Sequence, residues 1–89
     1  FNIEPSVNFS GTHDEQLTMM SITALDQPGL IHLIATIMAE CRIRLISAHI
    51  TTAGEKAEDR FIVSQPNTRR ALTKKQKKCL RNGLIEALQ

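Results

Sequence analysis

Asp26-Gln27-Pro28-Gly29-Leu30-Ile31 is the stretch where an apolar extended run gives way to an apolar helical stripe. Pro28 has no N–H to lose and its fixed φ suits a first helical turn, so a helix is expected to start here at little cost. Gly29 lets a neighbour approach the backbone closely. The first N–H groups of such a helix have no partner inside it and carry the positive end of its dipole, which makes them a seat for a carboxylate or a polar small molecule. The simpler reading is that Asp26 caps the helix, since caps outnumber ligand sites.

Working outward, residues 17–25 read as a strand with Met20, Ile22 and Ala24 on one face and Met19, Ser21 and Thr23 on the other. Downstream, Leu30, Leu33, Ile34, Ile37, Met38 and Cys41 fall at the spacing of one helical face. Residues 42–52 alternate again, with Ile46, Ala48 and Ile50 expected on a buried face and Ser47, His49 and Thr51 opposite. Gly54 sits where a tight reversal needs positive φ, and residues 57–64 resume an extended pattern around Phe61, Ile62 and Val63, so the two runs form a hairpin. Residues 65–71 read as loop. Thr73-Lys74-Lys75-Gln76 fits a capping box, and Leu72, Cys79, Leu80, Leu84, Ala87 and Leu88 continue at helical spacing to the chain end. Gly83 weakens that helix by about 1 kcal/mol relative to Ala. Before all of this, Val7 and Phe9 alternate after Pro5, a short strand signal suited to a sheet edge, and residues 11–16 read as a polar turn.

The order is strand, strand, helix, strand, strand, helix. Right-handed crossovers put both helices on one face of a four-stranded antiparallel sheet, an α+β ferredoxin-like sandwich. That topology ordinarily closes with a strand after the second helix. Here residues 1–10 are expected to supply the missing edge, with 17–89 forming the rest of one domain spanning 1–89.

Composition narrows the chemistry. The chain begins with Phe and has no signal segment or long apolar run, so it is expected to be a piece of a longer cytoplasmic protein, with no membrane partner. Cys41 and Cys79 fall at apolar positions of the two helices and read as small core residues rather than a disulfide or a metal pair. His13, His32 and His49 lack the spacing of a zinc site, so no metal is expected. No pair of carboxylates and no Ser/His/Asp or Cys/His set lies on apposed positions, which reads as a non-catalytic chain. Glu55, Glu58 and Asp59 read as a solvated hairpin turn, able to pair with Lys56 and Arg60. Seven of the eleven Lys and Arg residues lie between 69 and 81, so one end of the molecule is positive. The open sheet face lacks the aromatics of an RNA-binding sandwich, so no nucleic-acid partner is expected. That face, with Met19, Ser21, Thr23, Ser47, His49 and Ile62, instead suits pairing with a second domain of the same kind.

The segment from Leu17 to Phe61, in which Ile22-Thr23-Ala24-Leu25-Asp26-Gln27-Pro28-Gly29-Leu30 opens the helix, resembles an ACT domain, the small module that binds amino acids and related metabolites in many metabolic enzymes. More narrowly, the hairpin from Ser47 to Phe61, and within it Gly54-Glu55-Lys56-Ala57-Glu58-Asp59-Arg60-Phe61 most specifically, is similar, without gaps, to that of the C-terminal ACT domain in the family of bifunctional uridylyltransferase/uridylyl-removing enzymes. The Pro5-Ser6-Val7-Asn8-Phe9 lead-in matches that family as well. Gln27 stands where the family usually has Arg, and Arg60 where it usually has an apolar residue. Ala24 and Arg44 occupy places where some ACT domains put polar ligand contacts.

The resemblance implies a regulatory domain that binds glutamine and biases UMP transfer to and from a PII signalling protein, the catalytic centres lying in other domains of the parent enzyme. Ligand contacts would come from Asp26, which would meet an ammonium group, from the backbone of Gln27, Pro28, Gly29, Leu30 and Ile31, and from Arg44, with no other cofactor. The partners would be a second ACT domain and the catalytic domains. An amino-acid-sensing ACT regulator of another pathway and a ligand-free pairing module remain as alternatives. If residues 1–10 fill the sheet edge, deleting them lowers the unfolding temperature of the protein, and unchanged thermal unfolding would contradict that edge assignment.

Overall fold

Alternation along 18–24 is strict in three dimensions: Thr18, Met20, Ile22 and Ala24 are each no more than 2% exposed, while Met19, Ser21 and Thr23 are half-buried. A computed structural model describes residues 3–13 and 16–89, so the expected start of the edge strand at Phe1 and the middle of the 11–16 turn lie outside the described residues. The elements are β1 (Ser6–Gly11), β2 (Thr18–Leu25), α1 (Leu30–Glu40), β3 (Arg44–Ala53), β4 (Lys56–Ser64) and α2 (Lys74–Leu88). They build a four-stranded antiparallel sheet in the order β1-β2-β4-β3. The N-terminal strand does take the edge beside β2, with Val7 opposite Ile22 and Phe9 opposite Met20.

One face of the sheet meets both helices in a single core. Phe61 and Val63 from β4 and Met20 and Ile22 from β2 pack with Ile34, Ile37 and Met38 of α1 and Leu80 and Leu84 of α2. Hydrogen bonds fix the pieces that periodicity leaves open. The expected capping box forms: the Gln76 N–H donates to Thr73 Oγ1 at 3.2 Å, and the Thr73 N–H donates to Gln76 Oε1 at 2.9 Å. The buried Thr18 hydroxyl accepts the Leu72 N–H at 3.0 Å, which ties the start of α2 to β2. Arg81 donates to the Val7 carbonyl at 3.5 Å and lies 5.3 Å from the Phe9 ring centroid, so this member of the basic cluster fastens α2 to β1.

The end of α1 is a Schellman motif. Ile43 N–H donates to the Met38 carbonyl and Arg42 N–H to that of Ala39. Arg42 therefore carries φ 59, a left-handed position that usually belongs to glycine.

Two expectations are corrected. Residues 42–52 were expected to bury one face through Ile46, Ala48 and Ile50, yet β3 is exposed along almost its whole length, with Ile50 and Leu45 each at 47%. The helix layer is centred on the other strands: α2 packs on β1 and on α1, and α1 touches β3 without covering it. A register shift between Leu45 and Ser47 also takes Ile46 out of the ladder, so Leu45 rather than Ile46 shares a face with Ala48 and Ile50.

The second correction concerns the cysteines. Cys41 and Cys79 form a disulfide with Cα atoms 5.9 Å apart; Cys41 is half-buried and Cys79 is exposed. Helical spacing placed both on inward-facing stripes but could not show that the stripes meet. They meet because a Cβ on Gly83 would stand 3.0 Å from the Ile37 Cγ2, so the two helices touch there. One turn further along each helix, in opposite directions, Cys41 faces Cys79. The bond closes a separation of 38 residues, and loop-closure entropy assigns it about 4 kcal/mol. Reduction with a strong dithiol, or the paired substitution of both cysteines by serine, should lower unfolding free energy in denaturant titrations by roughly that amount. An unchanged midpoint would show that the bond does not constrain the unfolded chain.

Candidate functional site

The opening stretch folds as a turn followed by a helix. Leu30 N–H donates to the Gln27 carbonyl at 3.2 Å, with Pro28 and Gly29 as the central residues and Gly29 at φ 80, ψ 4. This is a type II turn, which wants proline first and a residue with positive φ second. The helix accordingly starts at Leu30, later than the Pro28 start expected from sequence, and Gly29 is its N-cap. The first intrahelical bond runs from Leu33 N–H to the Gly29 carbonyl at 2.9 Å. Asp26 does not cap the helix. Its own N–H donates to the Glu55 carbonyl at 2.8 Å, which pins the end of β2 to the hairpin. Glycine at the N-cap has no side chain to offer, so the amides of Ile31 and His32 find no partner within the helix. No atom lies within 4 Å of where a Gly29 Cβ would be, so the turn is open on that side.

A cavity of about 190 Å³ lies at this helix start. Five of the residues expected at the site, Asp26, Gln27, Gly29, Leu30 and Ile31, line it, while Pro28 shapes the turn from outside. Arg44 is not brought to it. That residue begins β3 opposite Ser64, whereas the cavity reaches β3 at Ile50, six residues along. At ~3.3 Å per residue, about 20 Å separates the two within one chain. The volume is below the roughly 300–1,000 Å³ of pockets for drug-sized ligands, which suits a small metabolite.

The cavity also contains a residue that sequence reading assigned to a solvated turn. Asp59 is 1% exposed, lines the cavity, and neither carboxylate oxygen has a hydrogen-bond partner. Burial pushes its pKa up; the Thr51 backbone nearby tempers the shift without reaching hydrogen-bond geometry, and the neighbouring Asp26 adds to it. The missed signal was parity: Asp59 shares the two-residue period of Ala57, Phe61 and Val63, all buried. The rest of the acidic cluster behaves as expected of a hairpin surface, with Lys56 Nζ 3.6 Å from Glu58 Oε1.

On the opposite sheet face, register brings the expected pairing residues together. Met19 and Ser47 both lie beside Ile62, Ser21 and His49 both lie beside Arg60, and Thr23 lies opposite Glu58. Met19, Ser21, Thr23 and Ile62 are half-buried there, and Ser47 and His49 are exposed. Among the described residues no helix is long and apolar enough to cross a membrane, and no three His, Cys, Asp or Glu side chains group as a metal site.

Comparison with known proteins places these features in a context. No family model matches the chain, and no solved structure does. Known proteins do match it along its length. It is 39% identical over 89 residues, all of its length, to the bifunctional uridylyltransferase/uridylyl-removing enzyme of Pasteurella multocida. It is 41% identical over 88 residues, 99% of its length, to the enzyme of that name from Vibrio parahaemolyticus. In both cases the match covers 10% of the relative. From end to end, then, the chain is homologous to a segment amounting to about a tenth of bifunctional uridylyltransferase/uridylyl-removing enzymes.

Proposed function

We propose that this chain is an ACT-type regulatory domain of a uridylyltransferase/uridylyl-removing enzyme and that it senses glutamine at the start of α1. The observation that carries the reading is the cavity of metabolite size at the Gln27–Leu30 turn, lined both by the first residues of α1, whose amides have no partner within the helix, and by the acidic residues Asp26 and Asp59. An amino acid carries both charges, and the site offers a complement to each: amides at the positive end of α1 for the carboxylate, acidic side chains for the ammonium. The whole-chain similarity supports the choice of parent enzyme. Within that parent, binding would bias UMP transfer to and removal from a PII protein carried out by the catalytic domains, through a coupling of about 1–3 kcal/mol.

A second reading has its own observation. β3 is a ten-residue edge strand with unpaired backbone groups on its outer side, and Leu45 and Ile50 lie exposed along it. A module that only pairs with another domain of its kind would use that edge or the open face of Met19, Ser21, Thr23, Ser47, His49 and Ile62. Pairing would also be one route by which Arg44 of a second copy meets the cavity.

Titration calorimetry with L-glutamine, on this protein and on the parent enzyme, separates the two. Glutamine heat from this protein with saturable one-site binding supports the sensor; self-association of this protein without glutamine heat, while the parent does bind glutamine, leaves the pairing module. Replacing Gly29 by Leu forces a bulky residue to φ 80 at a cost of about 1–2 kcal/mol and fills the open side of the turn. The variant should lose glutamine binding, and a preserved response would contradict the site.

A further inference from the structure

Asp59 is the group that the glutamine reading as inherited from resemblance leaves unused. A carboxylate this deeply buried is costly unless a charge or hydrogen-bond donor meets it. Among the described residues no group does so within hydrogen-bond geometry: both oxygens lack a partner, the Thr51 backbone only tempers the cost, and the cross-strand neighbours are the apolar Ile50 on β3 and Ile22 on β2. Asp59 belongs to the helix-facing row of β4 and is among the residues that line the cavity at the head of α1, with both of its carboxylate oxygens buried. Of the titratable groups around it, Asp26 comes from the turn and His32 from α1. Glu58 and Arg60, its chain neighbours, occupy the alternate positions of the strand and are exposed on the other face. The surroundings therefore hold two acids and no fixed cation.

A metal ion does not fit this arrangement: Asp26, His32 and Asp59 all line the cavity, yet among the described residues no three His, Cys, Asp or Glu side chains come together closely enough to hold one. An ammonium group does. It supplies one positive charge and several N–H donors to a carboxylate that lacks both.

We propose that Asp59 is the anchor for the ammonium group of the bound amino acid, with Asp26 as the second, more exposed acid at the cavity mouth and the Ile31 and His32 amides holding the ligand's carboxylate. The proposal rests on the reading of this cavity as an amino-acid site and adds the residue that selects a zwitterion over a simple acid. Free of ligand, the domain keeps an unpaired acid under its helix; the ammonium group supplies the missing partner. The same burial makes Asp59 a cost to the folded protein. Its folded pKa lies above the ordinary 3.8, so the native state is stabilised as pH falls through that raised value and loses the advantage as pH rises.

The test measures affinity by calorimetry for two probes, L-glutamine and glutaramate, which is glutamine without its α-ammonium, against the unaltered protein and Asp59→Asn. The unaltered protein should prefer glutamine, and the substitution should weaken glutamine by roughly 10- to 100-fold while leaving glutaramate almost unchanged. Thermal unfolding provides the fold control: Asp59→Asn should be more stable than the unaltered protein at pH 7, with the gap closing as pH falls toward 4. Should the variant fail to fold, the unaltered protein decides the matter by itself, because on acidification through the Asp59 titration the ratio of its affinity for glutamine to that for glutaramate must fall at pH values where glutaramate still keeps its own carboxylate charge. Equal glutamine affinity in Asp59→Asn, or an equal pH response for the two probes, overturns the anchor and leaves the cavity as a glutamine site. Absence of glutamine binding by the unaltered protein overturns the site reading and the anchor with it.

Discussion

The fold depends on how closely two helices approach. Gly83 has no side chain at the point where α2 meets Ile37 of α1, and a Cβ there would stand 3.0 Å from the Ile37 Cγ2. A glycine that costs an isolated helix about 1 kcal/mol stands where even a methyl group would require the Ile37 side chain to give way. Because the helices touch, Cys41 and Cys79 fall within bonding reach one turn away, α2 packs on β1, and the layer stays centred on the strands that bury Met20, Ile22 and Phe61. The same placement leaves β3 overhanging, with its apolar side chains and its outer backbone groups free.

Around the start of α1 the structure gives up local stability for a particular arrangement of charge. A Ser, Thr or Asn cap would satisfy the first amides, and an apolar residue at Asp59 would extend the core. The chain has neither. Glycine at the N-cap leaves amides open, and the acid beneath them has no partner. Residues bearing open amides and residues bearing acids thus line one cavity without pairing with each other, an arrangement that a ligand carrying both charges would satisfy. The type II turn holds the two sets apart, since Pro28 and the positive φ of Gly29 fix where the helix begins.

The disulfide bears on where such a domain operates. Cytoplasmic proteins rarely keep structural disulfides, and sequence reading placed this chain in the cytoplasm. The bond nonetheless spans the helix layer, and its exposed half at Cys79 lies on the surface of α2 where a soluble thiol can reach it. The helix contact at Gly83 lies one turn from the bond, and the core around it draws on β1, β2, β4 and both helices.

Local rules were enough for much of the architecture. Periods of two and 3.6 residues, a Pro-Gly pair, a glycine in a hairpin and a Thr-x-x-Gln cap each depend on neighbours within a few positions, so the number, type and order of the elements, the edge strand before β2 and the location of the turn were legible in the chain. Most of the expected turn residues do line one cavity. What sequence could not decide were relations between segments distant in the chain. The meeting of Cys41 with Cys79 depends on a helix crossing, the exposure of β3 on where the helix layer is centred, and the remoteness of Arg44 from the cavity on strand register. Asp59 shows the limit most clearly. Its alternation with Ala57 and Phe61 could be read, but its burial without a partner follows from what α1 and β3 bring over it, and that is a property of the packed molecule.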